Sequence, residues 1–166
     1  SFGVTRTSTN PAAVSMRSRS STRAAPETQP VYAARSRFAL SGSSAVATHW
    51  AADLSKLTAL PGQARLRVMS LTDSASTITA AANDFDYSEI FADQLRTFMA
   101  PGDVVIGIST SGRSPNVLRA MEFANQHGGV SIGITGQGGQ VLKAIASLTL
   151  VIASTSVQRI EDVAGV

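Results

Sequence analysis

Val104-Val105-Ile106-Gly107-Ile108 runs straight into Ser109-Thr110-Ser111-Gly112-Arg113-Ser114-Pro115. An unbroken apolar run bounded by turn residues reads as a strand buried on both faces, the habit of parallel sheets. Pro115 suits the first position of a following helix, where its missing N–H costs nothing. Strand, hydroxyl-rich loop and helix start therefore lie in one 12-residue stretch, and the rest of the chain is read outward from it.

Toward the C-terminus, Val117, Leu118, Met121 and Ala124 lie along one helical face that ends at Gly128-Gly129. Val130–Ile134 reads as a strand, Val141–Ala146 as a short helix and Leu148–Ile152 as a last strand. His127 falls at a helix end and reads as a cap.

Toward the N-terminus, Pro101-Gly102-Asp103 marks a turn. A helix beginning at Ser88 has Glu89 in its first turn and Phe91, Leu95 and Phe98 on its core face. Ser74–Ala82 reads as a helix capped by Asp73 and stopped by Asn83 in a left-handed conformation. Leu66–Leu71 is a strand, and Val46, Trp50, Leu54 and Leu57 share one face of a helix that Pro61-Gly62 breaks. Phe38-Ala39-Leu40 is the weakest strand signal.

Strand alternating with helix five times predicts an α/β fold, a three-layer sandwich around a five-stranded, doubly wound parallel sheet. Such sheets bind ligands beyond the carboxyl ends of their strands. The loops to inspect are residues 41–44, 71–74, 109–114, 135–139 and 153–156.

Composition narrows the function. The chain has 166 residues, 43% apolar and 15% charged, which is globular, and no cysteine, which excludes disulfides and thiolate chemistry. No apolar run approaches the roughly 18 residues of a membrane helix. Aromatic residues are only 5%, which argues against a stacking platform for nucleic acid.

The net charge of +3 is unevenly placed. Residues 1–45 hold six arginines (6, 17, 19, 23, 35 and 37) against Glu27, a net +5; the remainder holds eight basic and ten acidic residues, a net −2. Residues 1–37 read as a separate Arg- and Ser-rich segment, with 38–166 as the folded domain. A disordered or non-native tail, an organelle transit peptide and a phosphate-binding arm for nucleic acid all fit this segment.

Four hydroxyls, a flexible glycine and the amides of a helix start make an anion cradle that needs no lysine. Ordinary capping by Ser114 is the simpler alternative, although four hydroxyls exceed what capping requires. Gly136-Gln137-Gly138-Gly139 lacks the third glycine of a dinucleotide fingerprint, and neither a P-loop nor a nucleophile elbow occurs.

Gly107 to Val117 resembles the phosphate loop of sugar isomerase (SIS) domains, and most of all that of the phosphoheptose isomerases. The resemblance runs from about Ser43 to Val163. It includes His49-Trp50-Ala51-Ala52-Asp53-Leu54, Ala82-Asn83-Asp84-Phe85, Pro101-Gly102-Asp103-Val104, Thr135-Gly136-Gln137-Gly138-Gly139 and Arg159-Ile160-Glu161. It implies a protein that binds a phosphorylated sugar and moves a proton between C1 and C2 of sedoheptulose 7-phosphate, giving D-glycero-D-manno-heptose 7-phosphate. By the same resemblance Ser109, Thr110, Ser111 and Ser114 hold the phosphate, while Ser43, Asn83, Asp84 and Glu161 meet the rest of the substrate.

The family pairs a glutamate on the first helix with a histidine on the last, and the matching positions here are Asp53 and Ala164. Asp53 is one methylene shorter, and Ala164 cannot titrate. No cofactor is required. Zinc is the one metal implied, through His49 and Asp53 with positions matched by Glu161 and Ala164; an exposed His–Asp pair is the competing reading. The family's Gly-Asn-Gly-Gly-Ser turn is reduced to Gly42-Ser43.

The family's N-terminal helices, which build a homotetramer, find no counterpart in residues 1–37, and the chain stops early in the family's last helix. A truncated or frameshifted product would account for these departures. The resemblance further implies a cytoplasmic homo-oligomer, with organelle import if residues 1–37 are a transit peptide. Three functions compete: a ketose–aldose isomerase, a sugar-phosphate-binding protein that has lost catalysis, and a relative of the branch that binds a replication initiator protein.

Overall fold

Residues 37–165 are described by the structure, a computed structural model. The readings of the basic N-terminal segment fall on residues 1–36, outside the described residues.

The strands β1 (Arg37–Gly42), β2 (Arg67–Ser70), β3 (Val104–Ile108), β4 (Val130–Gly136) and β5 (Leu148–Ile152) form one sheet in the order β2-β1-β3-β4-β5. Every pairing is parallel, so each connection must cross over through a helix. The chain leaves β1 toward one edge and returns to build β3 on its other side. That reversal puts the switch point between the carboxyl ends of β1 and β3.

Alternation along β3 divides the core into two layers. Val105 packs with α2 (Ala75–Asp84), α3 (Ala92–Phe98), α4 (Pro115–Gln126) and α5 (Gln140–Ile145) through Ala81, Leu95, Met121 and Leu142. Ile106 and Ile108 face the other way, toward Val46 and Ala47 of α1 (Ser44–Leu57) and Ala164 of α6 (Val157–Ala164). The three-layer parallel α/β sandwich expected from the sequence is what forms.

Several local expectations are corrected. Asp73 does not cap α2: the Ser74 hydroxyl accepts from the Thr77 amide at 3.3 Å, and Asp73 instead accepts from the Thr48 hydroxyl at 2.8 Å. Asn83 is no left-handed stop; it lies inside α2, which ends at Phe85 with φ −122° and its amide on the Ala81 carbonyl. The helix expected from Ser88 begins as a 3-10 turn, Tyr87–Glu89, capped by Asp86, and becomes α-helical only at Ala92. Apolar stripes also outrun the sheet beneath them: Val46 is buried, yet Leu57 is 71% and Phe98 44% exposed.

Candidate functional site

Gly42, the last residue of β1, has φ +111°, and a Cβ there would sit 1.8 Å from the Ile108 carbonyl oxygen. Only glycine lets β1 and β3 meet so closely at their carboxyl ends. Ser43 follows, its amide on the Ile108 carbonyl at 3.3 Å, so the start of α1 is tied to the end of β3.

From β3 the chain enters the hydroxyl loop, which is held from within. The Gly112 amide donates to the carbonyl and the hydroxyl of Ser109, at 3.0 and 3.1 Å. Gly112 has φ +63°, and a Cβ there would lie 2.4 Å from the Gly139 Cα. The loop is therefore seated against the loop after β4, with the Leu142 amide on the Gly112 carbonyl at 3.1 Å and the Gly136 amide on the Thr110 carbonyl at 3.2 Å.

Ser114 occupies the N-cap position of α4 with Pro115 just inside, yet its side chain makes no capping bond. Its hydroxyl lies 3.0 Å from that of Ser109 instead. Ordinary side-chain capping is therefore not what this serine does; within the first turn of α4 the Val117 amide donates to the Asn116 side-chain oxygen at 2.9 Å. Two further hydroxyls, Ser41 Oγ on β1 and Thr135 Oγ1 on β4, are enclosed without a hydrogen-bond partner.

These elements border a cleft of about 360 Å³ at the switch point. Ser43, Ser109, Thr110, Ser114 and Glu161 line it, and Asn116 and Tyr87 join them. Tyr87 escaped the sequence reading, because a lone aromatic on a turn carries no periodic signal.

Its turn is well anchored. Glu89 pairs with Arg96 at 2.7 Å and with Arg119 of α4 at 3.6 Å, and the hydrogen bond that Arg96 donates to Glu89 raises its guanidinium above its ordinary value. The Ser88 hydroxyl and then its amide hold the Asp86 carboxyl below the usual aspartate range.

Other expected site residues lie elsewhere. Ser111 is exposed, its hydroxyl accepting from the Arg113 amide at 3.3 Å rather than lining the cleft. Asn83 and Asp84 are exposed and bonded to each other at 3.3 Å, and Asp84 borders a separate depression with Phe85 and Asp93.

His49 Nε2 lies 2.9 Å from Asp53 Oδ2 on an open face of α1, and neither residue lines the cleft. Among the described residues no three of His, Cys, Asp and Glu converge as a metal-binding group. Two ligands from one helix do not make a zinc site, so no step is routed through zinc. Ala164 is 4% exposed and packs in the apolar layer with Ile108 and Ile134. His127 is a helix end, as expected, its Nδ1 2.8 Å from the Phe123 carbonyl.

A parallel α/β sheet with a hydroxyl-rich loop leading into a helix at its switch point is a geometry that can take a small anionic ligand. Residues 37–136 match the SIS domain family, and the chain belongs to that family. It is 40% identical over 123 residues to the phosphoheptose isomerase of Trichlorobacter lovleyi, covering 73% of this chain and 61% of that protein. It is 42% identical over 125 residues to that of Paramagnetospirillum magneticum, covering 75% and 65%. The solved structure of the Neisseria gonorrhoeae phosphoheptose isomerase superposes with a TM-score of 0.71 at 29% identity, covering 78% of this chain and 70% of that one. The chain thus spans 61% and 65% of the length of those two sequence relatives.

Proposed function

We propose that this chain binds a phosphorylated ketoheptose at the β1/β3 switch point and acts on it as a phosphoheptose isomerase, interconverting ketose and aldose by proton transfer between C1 and C2. The observation that carries this reading is the Ser109–Ser114 loop, with Ser114 released from capping duty and Ser43 on the facing loop. Phosphate would accept from hydroxyls and from the start of α4, and the sugar would extend toward Tyr87 and Glu161. The names of the sequence relatives and of the superposed structure support the substrate class.

The same reading makes the protein a homo-oligomer. The exposed Leu148, Leu150 and Val151 of edge strand β5, with Leu57 and Leu60 at the end of α1, would lie between copies. A charged substrate does not cross membranes, which favours the cytoplasm. No described helix is long and apolar enough to span a membrane.

Thermal unfolding with sedoheptulose 7-phosphate, fructose 6-phosphate and free phosphate tests the binding. A sugar phosphate at about 100 times its Kd should stabilise the fold by about 2.7 kcal/mol. Ser114→Ala should remove most of that gain. No shift with any of the three refutes the reading.

A further inference from the structure

Thr135 Oγ1, near the carboxyl end of β4, is fully buried and has no hydrogen-bond partner. It lies against the hydroxyl loop and the loop after β4, where those two meet. A Cβ on Gly112 would be 3.0 Å from this oxygen, and a Cβ on Gly139 would be 2.0 Å from it. We propose that Thr135 is a positioning residue of the hydroxyl loop, whose hydroxyl receives the Gly112 amide when an anion occupies the cleft. The inference rests on the phosphosugar reading and goes beyond it, to a residue that does not line the cleft.

A buried hydroxyl without a partner is costly, whereas an apolar group of the same shape in its place is not. Packing alone would be served better by valine, which has the same branched shape. The hydroxyl therefore has its use in another arrangement of the loop beside it.

Its surroundings restrict what the partner is. Thr135 is in register with Val151 of β5, and its neighbour Ile134 with Ile108 of β3, so the backbone is fixed from both sides. A β-branched side chain has little freedom at χ1. Gly112 and Gly139 stand against it with backbone alone, so the partner is a backbone group of one of these loops. The Gly139 amide is committed to the Gly136 carbonyl at 3.1 Å. The Gly112 amide is shared between the carbonyl and the hydroxyl of Ser109, at 3.0 and 3.1 Å.

The Ser109 hydroxyl is the group that a phosphate would claim. It lies 3.0 Å from the Ser114 hydroxyl, and both residues line the cleft. Turning it toward a phosphate oxygen withdraws it from the Gly112 amide. The start of the loop meanwhile stays tied to β4, since the Ser109 amide donates to the Ile134 carbonyl at 3.0 Å. A small settling of Gly112 then brings its amide onto Thr135 Oγ1, which has lone pairs free to accept it. The bond made there offsets the one given up, so the loop takes the anion while its buried amide keeps a second acceptor.

The test measures binding of inorganic phosphate and of sedoheptulose 7-phosphate to the full chain by calorimetry, beside thermal unfolding of the same variants. Without ligand, Thr135→Val should raise the melting temperature by a few degrees, because an unpaired buried hydroxyl is removed. The same variant should bind both ligands about 10-fold more weakly. Thr135→Ser keeps the hydroxyl and should bind within a few fold of the parent. A packing role would move stability and affinity together, so their opposite signs in Thr135→Val mark a positioning role.

Parental affinity in Thr135→Val overturns the proposal and leaves the phosphosugar reading intact, as does a Thr135→Ser variant as weak as Thr135→Val. A lower melting temperature for Thr135→Val without ligand shows that the hydroxyl is already in use, and overturns it as well. A parent chain that binds neither ligand removes the phosphosugar reading, and this role of Thr135 with it.

Discussion

Replacing Gly42, Gly112, Gly62 and Gly138 one at a time by alanine separates two costs that glycine avoids. Gly138 has an ordinary φ and no atom within 4 Å of a new Cβ, so Gly138→Ala should be neutral or stabilise by up to about 1 kcal/mol. Gly62 has φ +76° and equally open surroundings, leaving only the left-handed penalty of about 1–2 kcal/mol. Gly112 adds a contact of 2.4 Å with the Gly139 backbone to φ +63°. Overpacking of that kind costs about 1–3 kcal/mol, for a total of about 2–5. Gly42 is worst: φ +111° and a Cβ 1.8 Å from the Ile108 carbonyl oxygen, where two strands must part. Its loss should exceed about 4 kcal/mol, a value that single substitutions rarely reach.

At about 2–4 °C of melting temperature per kcal/mol, Gly112→Ala should lose roughly 4–20 °C and Gly62→Ala only a few degrees. Urea unfolding gives the same order through its midpoints at constant slope. If Gly62→Ala falls as far as Gly42→Ala, backbone dihedral alone sets the cost and the argument from close approach at the switch point is wrong. If Gly138→Ala falls as far as Gly112→Ala, the two loops are not seated as described.

Ser74 and Ser114 stand at the starts of α2 and α4, but only Ser74 caps its helix. Urea titration should show Ser74→Ala costing about 1 kcal/mol and Ser114→Ala markedly less, with phosphate affinity responding the other way round. Asp86 supplies a pH dependence. Its carboxyl is held below its ordinary value by Ser88, so its contribution is full above the unfolded value of 3.8 and is lost as pH falls through the lower folded value. NMR titration should find Asp86 below a typical aspartate, and Ser88→Ala should bring it back up.

Much of the fold was legible because each element carries its own signal. Val104–Ile108 and Leu148–Ile152 form the strands that their apolar runs predict, and Pro115 opens α4. Turn chemistry was less legible. Asp73 and Ser74 are adjacent and both can cap; backbone geometry chose Ser74, and the approach of Thr48 from α1 occupied Asp73.

Ser43, Ser109, Thr110, Ser114 and Glu161, which the resemblance assigned to the substrate, line the cleft at the switch point. Asn83, Asp84 and Asp53, assigned to the site by the same resemblance, do not line this cleft within the single chain.

By itself, then, the sequence determined a parallel α/β sheet and a hydroxyl loop at the end of its central strand, because periodicity and local turn chemistry are properties of neighbouring residues. Only the tertiary structure decided which groups share the cleft. That depends on contacts between distant segments, Gly42 on Ile108, Gly112 on Gly139 and Ile160 on Gly136, where the absence of a Cβ lets elements far apart in sequence close around one space.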